Sequence, residues 1–229
     1  MRLSVIIPAY NEEKRLPATL KDINDYLRHK NFRSEIIVVD DGSTDKTSKI
    51  SKNAKLIRYS RNMGKGYAVK KGVEAATGDF ILFMDADNST RIKELDNFMK
   101  KMEDFDILIG SRFLPTSLLE RKQSRFRILI GRVGNLIIRS SLVKGINDTQ
   151  CGFKLFRSAV ANDLFSKLKT YRFGFDIEIL AKAQKRNYKI AEIPITWLHT
   201  DNSRLRPVRD AIKTFIDLLK IKGSCVRIH

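Results

Sequence analysis

The chain has 229 residues, 42% of them apolar, enough for a sizeable core and incompatible with a disordered polar chain. Its two cysteines stand far apart with no metal-ligand spacing around them, and no stretch of about 18 uninterrupted apolar residues marks a membrane-spanning helix. Residues 1–110 carry 20 basic and 17 acidic side chains and residues 111–229 carry 24 and 9, so the net charge of +18 sits mostly in the second part and points to an anionic partner there.

In chain order, residues 3–8 are a short apolar run, expected as a buried strand. Asn11-Glu12-Glu13 opens a helical pattern to about Arg28, with Leu16, Leu20, Ile23 and Leu27 at helical spacing. Residues 35–39 form a second β-branched run, ended by Asp40-Asp41-Gly42-Ser43, and Thr44 is placed to cap a helix starting near Asp45. A third strand is expected over 55–59, a helix over 64–76, and a strand over 79–84 that ends at Asp85-Ala86-Asp87. A polar helix over 91–102 and a strand over 106–109 follow. This alternation predicts βαβ units and a mostly parallel sheet, whose ligands lie beyond the carboxyl ends of the strands. Pro8-Ala9-Tyr10-Asn11-Glu12, Asp40-Asp41-Gly42 and Asp85-Ala86-Asp87 all fall at such ends.

The second part is less regular. Residues 124–143 are strongly apolar, with Arg125, Arg132 and Arg139 on one helix face and Arg127 nearly opposite. A strand over 152–156, a helix over 175–186, a strand-like run over 189–198 and an amphipathic helix over 208–221 complete the chain. The expectation is one domain over 1–229, with a nucleotide-binding half at 1–110 and an acceptor and membrane-interface half at 111–229.

Two carboxylates one residue apart at a strand end, Asp85 and Asp87, can both approach a hard cation such as Mg²⁺ or Mn²⁺, which fills its shell with phosphate oxygens and water. Taken alone, an Asp-x-Asp is also common in solvated loops. Asp40 can accept hydrogen bonds from a base or ribose, or can simply end a turn; Tyr10 offers a ring to a base, or marks a strand exit. Asn62-Met63-Gly64-Lys65-Gly66 lacks the Walker A spacing, yet its glycine-flanked helix start can present N–H groups and an ammonium to an anion.

Together these segments resemble the family 2 glycosyltransferases of GT-A (Rossmann-like) fold, and within them the polyprenyl-phosphate sugar synthases. The resemblance rests on Val5-Ile6-Ile7-Pro8-Ala9-Tyr10-Asn11-Glu12-Glu13, Val38-Val39-Asp40-Asp41-Gly42-Ser43-Thr44-Asp45, Asn62-Met63-Gly64-Lys65-Gly66, Asp85-Ala86-Asp87 and Gly110-Ser111-Arg112. The second half is most similar to the dolichyl-phosphate β-glucosyltransferases, through Asp148-Thr149-Gln150-Cys151-Gly152-Phe153-Lys154-Leu155-Phe156, Phe175-Asp176-Ile177-Glu178 and Ala191-Glu192-Ile193 before Trp197. The resemblance implies that Pro8, Tyr10, Asn11, Glu12, Asp40 and Asp41 hold the nucleotide with Lys65 nearby, and that Asp85, Ala86 and Asp87 hold the metal and donor diphosphate. It implies that Arg112, Arg127 and Arg204 meet the acceptor and donor phosphates, with Asp148, Gln150 and Asp176 beside the substrates. Mannose-transferring relatives place a glutamine two residues after the Asp-x-Asp; here that position is Ser89, which favours glucose and UDP-glucose over GDP-mannose.

The implied reaction is inverting displacement at the anomeric carbon by a polyprenyl phosphate. Asp148, Asp176 and Glu178 are open to a second role as base or sugar contact, and Asp176 and Glu178 equally to anchoring basic side chains. Cys151 is expected as a small buried residue and His199 on the surface or acceptor side. The helices over 124–143 and 208–221, apolar with basic borders, are expected to lie in the interface of an anionic membrane or else to pack on the sheet. The start runs straight into a strand without a secretory signal, so the expected location is peripheral, on the cytoplasmic face. A nucleic-acid partner is not expected, since no recognised nucleic-acid-binding motif accompanies the basic half.

Overall fold

A computed structural model describes residues 1–51, 54–119, 143–172 and 174–198. Its elements run β1 (Arg2–Ala9), α1 (Leu16–Arg28), β2 (Arg33–Asp41), α2 (Thr47–Ile50), β3 (Lys55–Tyr59), α3 (Lys65–Ala75) and β4 (Phe80–Met84). A 3-10 turn (Ile92–Glu94) leads into α4 (Leu95–Met99), followed by β5 (Ile107–Ser111) and β6 (Leu118–Leu119). Then come β7 (Phe153–Arg157), α5 (Ser158–Ser166), α6 (Phe175–Lys185), β8 (Ile190–Pro194) and β9 (Thr196–Trp197). Seven strands form one sheet in the order β3-β2-β1-β4-β7-β5-β8, and β6 pairs with β9 in parallel beside it. Only β7 runs against its neighbours in the large sheet, pairing antiparallel with both β4 and β5. The mostly parallel α/β sheet flanked by helices, expected from the alternation, is the fold observed.

Leu3, Val5, Ile6 and Ile7 of β1 are all fully buried, as a central parallel strand covered on both faces requires. The connection from β1 leads outward to β2, whereas that from β3 returns past both strands to β4. With right-handed crossovers these opposite directions put α1 and α3 on opposite faces. Gly72 lets α3 lie almost on the sheet, since a Cβ there would come within 2.3 Å of Ile6 Cγ2. The chain leaves β1 toward one edge and β4 toward the other, so a crevice opens between their carboxyl ends, the usual ligand position in such sheets.

Several local expectations shift. α1 begins at Leu16, because residues 12–15 form a turn in which the Glu12 carbonyl accepts the Arg15 and Leu16 N–H groups. Pro17 then suits the first helical turn, where its missing N–H costs nothing. Thr44 does not cap α2; its N–H goes to Asn11 Oδ1, while Asp45 accepts the N–H of Thr47. The run at 91–102 makes only a 3-10 turn and the short α4, and the run at 189–198 divides at Ile195 into β8 and β9. The helix α5, which follows β7 without an intervening residue, has no counterpart among the elements expected from sequence. The expected helix over 124–143, apart from Val143 at its end, and that over 208–221, with Arg127, His199, Arg204 and Cys225, lie outside the described residues.

Candidate active site

The loops after β1 and β2 are bonded to each other. Asn11, in the left-handed region at φ 54°, donates its N–H to Ser43 Oγ and accepts that of Thr44 on Oδ1. Asparagine tolerates that backbone better than most residues. The Glu12 N–H donates to Thr47 Oγ1, and Glu12 accepts both ends of the Arg15 guanidinium. The two loops therefore hold one shape, with Pro8 half-buried at the end of β1 and Tyr10 exposed on the rim. Asp40 is fully buried. Its Oδ1 accepts the Ser43 N–H at 2.9 Å, while Oδ2 has no hydrogen-bond partner and lies 3.3 Å from Arg58 Nε. Asp41 turns instead toward the start of α3, where its two oxygens accept the N–H groups of Met63 and Gly64 at 2.7 and 2.9 Å. It thereby shapes the entry to α3 and fixes where Lys65 begins.

At the end of β4, Asp85 is paired with Lys65, Nζ to Oδ1 at 2.6 Å. Burial works against the charge of Lys65, but Asp85, Asp176 and Asp87 outweigh it and raise its pKa. The register of β7 sets Met84 opposite Phe153, so Gly152 falls beside Asp85 and its carbonyl accepts the Asp85 N–H at 3.0 Å. A Cβ on Gly152 would stand 2.0 Å from Asp85 Oδ2, so the absent side chain is the space the carboxylate occupies. Ala86 is buried, its carbonyl accepting the Thr19 hydroxyl at 2.7 Å. Asp87 accepts the Ser89 N–H at 3.0 Å and lies 3.9 Å from Arg15 Nη1. Ser89 is itself buried.

The antiparallel course of β7 also carries residues 148–152 to the carboxyl ends of the parallel strands. There Asp148 takes Arg112 in a two-point fork, Nε at 2.7 Å and Nη2 at 2.8 Å, and accepts the Arg112 N–H at 3.0 Å. Burial opposes ionisation of Asp148, yet the Arg112 charge and hydrogen bonds hold its carboxyl below the usual range. Glu192 of β8 accepts the N–H groups of Asn147 and Asp148 at 2.8 Å each, bracing that loop from behind. The guanidinium lies 5.7 Å from the Phe113 ring and 5.8 Å from that of Trp197, within range for attraction to both. Phe113 is exposed, as is Leu118 on β6, and Gln150 is exposed at the end of the chain segment that holds Asp148.

Asp176, in the first turn of α6, is buried and paired with the equally buried Lys154, which also donates to the Cys151 carbonyl. Burial pushes Asp176 up, against the pull of Lys154 and Lys65. Glu178 accepts the N–H groups of Lys169 and Thr170 and pairs with Lys182. Asp148, Asp176 and Glu178 are thus each paired with a basic side chain: Arg112, Lys154 and Lys182. Cys151 is buried, and burial pushes its thiol up to about 12, as suits a packing residue.

Asp85, Asp87 and Lys65 thus stand at one end of the crevice, with Arg112, Asp148 and Gln150 beyond Gly152. The supporting roles of Arg15, Gly152, Lys154 and Glu192 are not anticipated from sequence; the Glu12-x-x-Arg15 spacing is the one local signal available. No further histidine, cysteine, aspartate or glutamate joins Asp85 and Asp87 as a metal-binding group among the described residues. Two carboxylates alone fit a hard cation that draws its other ligands from a diphosphate and water.

The family model for glycosyl transferase family 2 matches residues 4–165. The dolichyl-phosphate beta-glucosyltransferase of Dictyostelium discoideum is 40% identical over 240 residues, covering 96% of this chain and 73% of that protein. The Homo sapiens enzyme of that name is 36% identical over 242 residues, 96% and 75% of the two chains, and the Saccharomyces cerevisiae one 34% over 248, 96% and 74%. Among solved structures, glucosyl-3-phosphoglycerate synthase from Mycobacterium tuberculosis in complex with Mn²⁺, UDP and glucosyl-3-phosphoglycerate aligns with a TM-score of 0.76. Its identity is 20%, over 96% of this chain and 80% of that one. A likeness at that identity speaks for the fold.

Proposed function

The chain belongs to glycosyl transferase family 2, and on that premise we propose that it moves a glucosyl residue from UDP-glucose to dolichyl or a related polyprenyl phosphate, with inversion at the anomeric carbon. The observation that carries the reading is the setting of Arg112. A permanently charged, fork-shaped phosphate binder is held by Asp148 at 5.8 Å from the ring of Trp197 and 5.7 Å from that of the exposed Phe113, in a segment that also exposes Leu118. That combination suits a ligand with a phosphate head and an apolar tail. The identity to dolichyl-phosphate beta-glucosyltransferases over nearly the whole chain supports the same acceptor and sugar.

In this reading Tyr10 and the loop at Asn11 and Glu12 receive the nucleoside, and Asp40, whose Oδ2 makes no hydrogen bond within the chain, accepts one from it. Asp85 and Asp87 would hold a divalent cation, Mg²⁺ or Mn²⁺, whose chemistry is to neutralise the departing diphosphate. Lys65 supplies a second positive charge beside those phosphates. The Mycobacterium tuberculosis neighbour was crystallised with Mn²⁺ and UDP, which agrees with that donor set.

Arg112 orients the acceptor phosphate and offsets the repulsion between two phosphate-bearing substrates. Because a phosphate monoester has its second pKa at about 6, the nucleophile is already an anion at neutral pH. Asp148 and Asp176 can therefore remain tied to Arg112 and Lys154 and need not serve as bases.

Attachment to a membrane surface belongs to the same reading, through Phe113, Leu118 and the basic second half. No helix among the described residues is long and apolar enough to cross a membrane. The test is a panel of nucleotide sugars offered with polyprenyl phosphate and Mg²⁺ or Mn²⁺, followed by mass spectrometry of the lipid. A glucosyl phospholipid formed from UDP-glucose is expected. A mannosyl product, or transfer only to a water-soluble acceptor, overturns the assignment.

A further inference from the structure

We infer that Lys65 is an internal counter-ion of the metal pair: its ammonium occupies Asp85 until a nucleoside diphosphate draws it away, so that cation and diphosphate bind as a coupled pair. This rests on the reading of Asp85 and Asp87 as metal ligands.

The geometry makes the pair hard to avoid. Lys65 begins α3, and its backbone is pinned from both sides. Before it, Gly64 sits at φ 106° with its N–H on Asp41, and Met63 donates to the other oxygen of the same carboxylate. After it, a Cβ on Gly66 would meet Phe175 at 2.6 Å, so the helix start cannot retreat. The backbone of Asp85 is likewise held, by its N–H on the Gly152 carbonyl, and its carboxylate lies in the space Gly152 leaves. Two rigid stems thus hold an ammonium 2.6 Å from an oxygen that a divalent cation would use. The far end of the lysine, unlike its stem, is free to change partners. It lies 5.1 Å from the Phe83 ring centroid and within the field of Asp176, so it keeps favourable surroundings after leaving Asp85.

A cation that arrives alone must expel Lys65 from Asp85 without bringing a new anion for the ammonium to pair with. A cation that arrives with a diphosphate supplies phosphate oxygens in place of Asp85. The consequence is weak cation binding without nucleotide and reciprocal tightening with it, since coupling between two ligands is symmetric.

The experiment titrates Mn²⁺ into the full chain and reads the free ion by electron paramagnetic resonance, with and without UDP. Lys65→Met is expected to tighten nucleotide-free Mn²⁺ binding roughly tenfold, inside the range of about 5–150-fold typical of coupling between sites. The tightening caused by UDP should shrink by the same factor, while Lys65→Arg keeps the wild-type pattern. Lys65→Gln, with thermal unfolding of each variant, guards against a methionine variant that fails to fold. If wild type binds Mn²⁺ with UDP but the folded methionine and glutamine variants match it without UDP, the metal reading stands and the counter-ion is refuted. If no protein binds Mn²⁺ even with UDP, the metal reading fails and the inference falls with it. Independent, additive binding of Mn²⁺ and UDP to wild type overturns it as well.

Discussion

Replacing Gly152 by alanine tests the joint between the two halves of the site. Gly152 has no positive φ, so the backbone itself accepts an L residue and the substitution acts through contact alone. The new Cβ would lie 2.0 Å from Asp85 Oδ2 and 2.3 Å from its Cγ. Real Cβ atoms essentially never approach a neighbour within 3.0 Å, so the carboxylate must retreat by about 1 Å or more. That displacement breaks the 2.6 Å pair with Lys65 and moves one of the two carboxylates proposed to hold the metal. A misplacement of about 1 Å in a reacting assembly costs about 100-fold, or roughly 2.7 kcal/mol of barrier. The carboxylate is partly exposed and has room to swing outward, so the loss of stability should stay near 1–3 kcal/mol, about 2–4 °C in Tm for each kcal/mol in a chain of this size. The assay is kcat/KM for glucosyl transfer beside thermal unfolding. Gly145→Ala serves as control, because no atom lies within 4 Å of its Cβ position and only its backbone at φ 73° objects. If Gly152→Ala keeps more than a third of wild-type kcat/KM, the packing argument is wrong.

Four more expectations follow from the same geometry. Arg112→Ala should cut transfer by about 100–1000-fold and also lower Tm, because it leaves the buried Asp148 unpaired; Arg112→Lys should recover stability better than rate, and a folded alanine variant within tenfold of wild type refutes the acceptor role. Asp148 titrates below its ordinary value of about 3.9 in the fold, so its contribution to stability is complete above about pH 4 and is lost as pH falls from there through the native value. Asp148→Asn should therefore flatten the dependence of Tm on pH below about 4, and an unchanged acid slope counts against the pairing. Chelation of divalent cations should stop transfer, and Mg²⁺ or Mn²⁺ should restore it; full activity in excess chelator removes the role given to Asp85 and Asp87. Flotation with anionic liposomes at low salt should carry the wild type upward, and Phe113→Asp with Leu118→Asp should reduce it; equal flotation places the contact elsewhere.

What can be read in the sequence is whatever depends on near neighbours along the chain. The strands at 3–8, 35–39 and 79–84 are apolar runs stopped by aspartates or a proline, and in a parallel sheet their carboxyl ends lie on one side. Asp40, Asp85 and Tyr10 can therefore be assigned to a common cleft before any coordinates. The partners of those residues depend on the direction of β7, which no local pattern announces. An apolar run at 152–156 reads alike whether it enters the sheet parallel or antiparallel. Once it enters antiparallel, Gly152 meets Asp85, Asp148 meets Arg112, and Lys154 finds Asp176 at separations of 67, 36 and 22 residues. The start of α1 is hidden for a related reason. Asn11 and Glu12 look like helix-initiating residues, but their groups are spent on Ser43, Thr44 and Thr47 in the neighbouring loop.

The reversed strand also bears on how the chain can be divided. Cutting after Ser111 would separate the strand-end clusters at residues 8–12, 40–43 and 85–87 from the rest of the chain. Such a fragment would keep β4 but lose β7, stripping five paired positions from the run Phe80-Ile81-Leu82-Phe83-Met84. It would also strand β5, whose partners in the sheet are β7 and β8. An apolar strand with a bare edge is a template for other chains. Residues 1–111 are therefore no exchangeable module: isolated, they should aggregate, and a chimera built at that boundary must bring its own antiparallel strand to close the sheet.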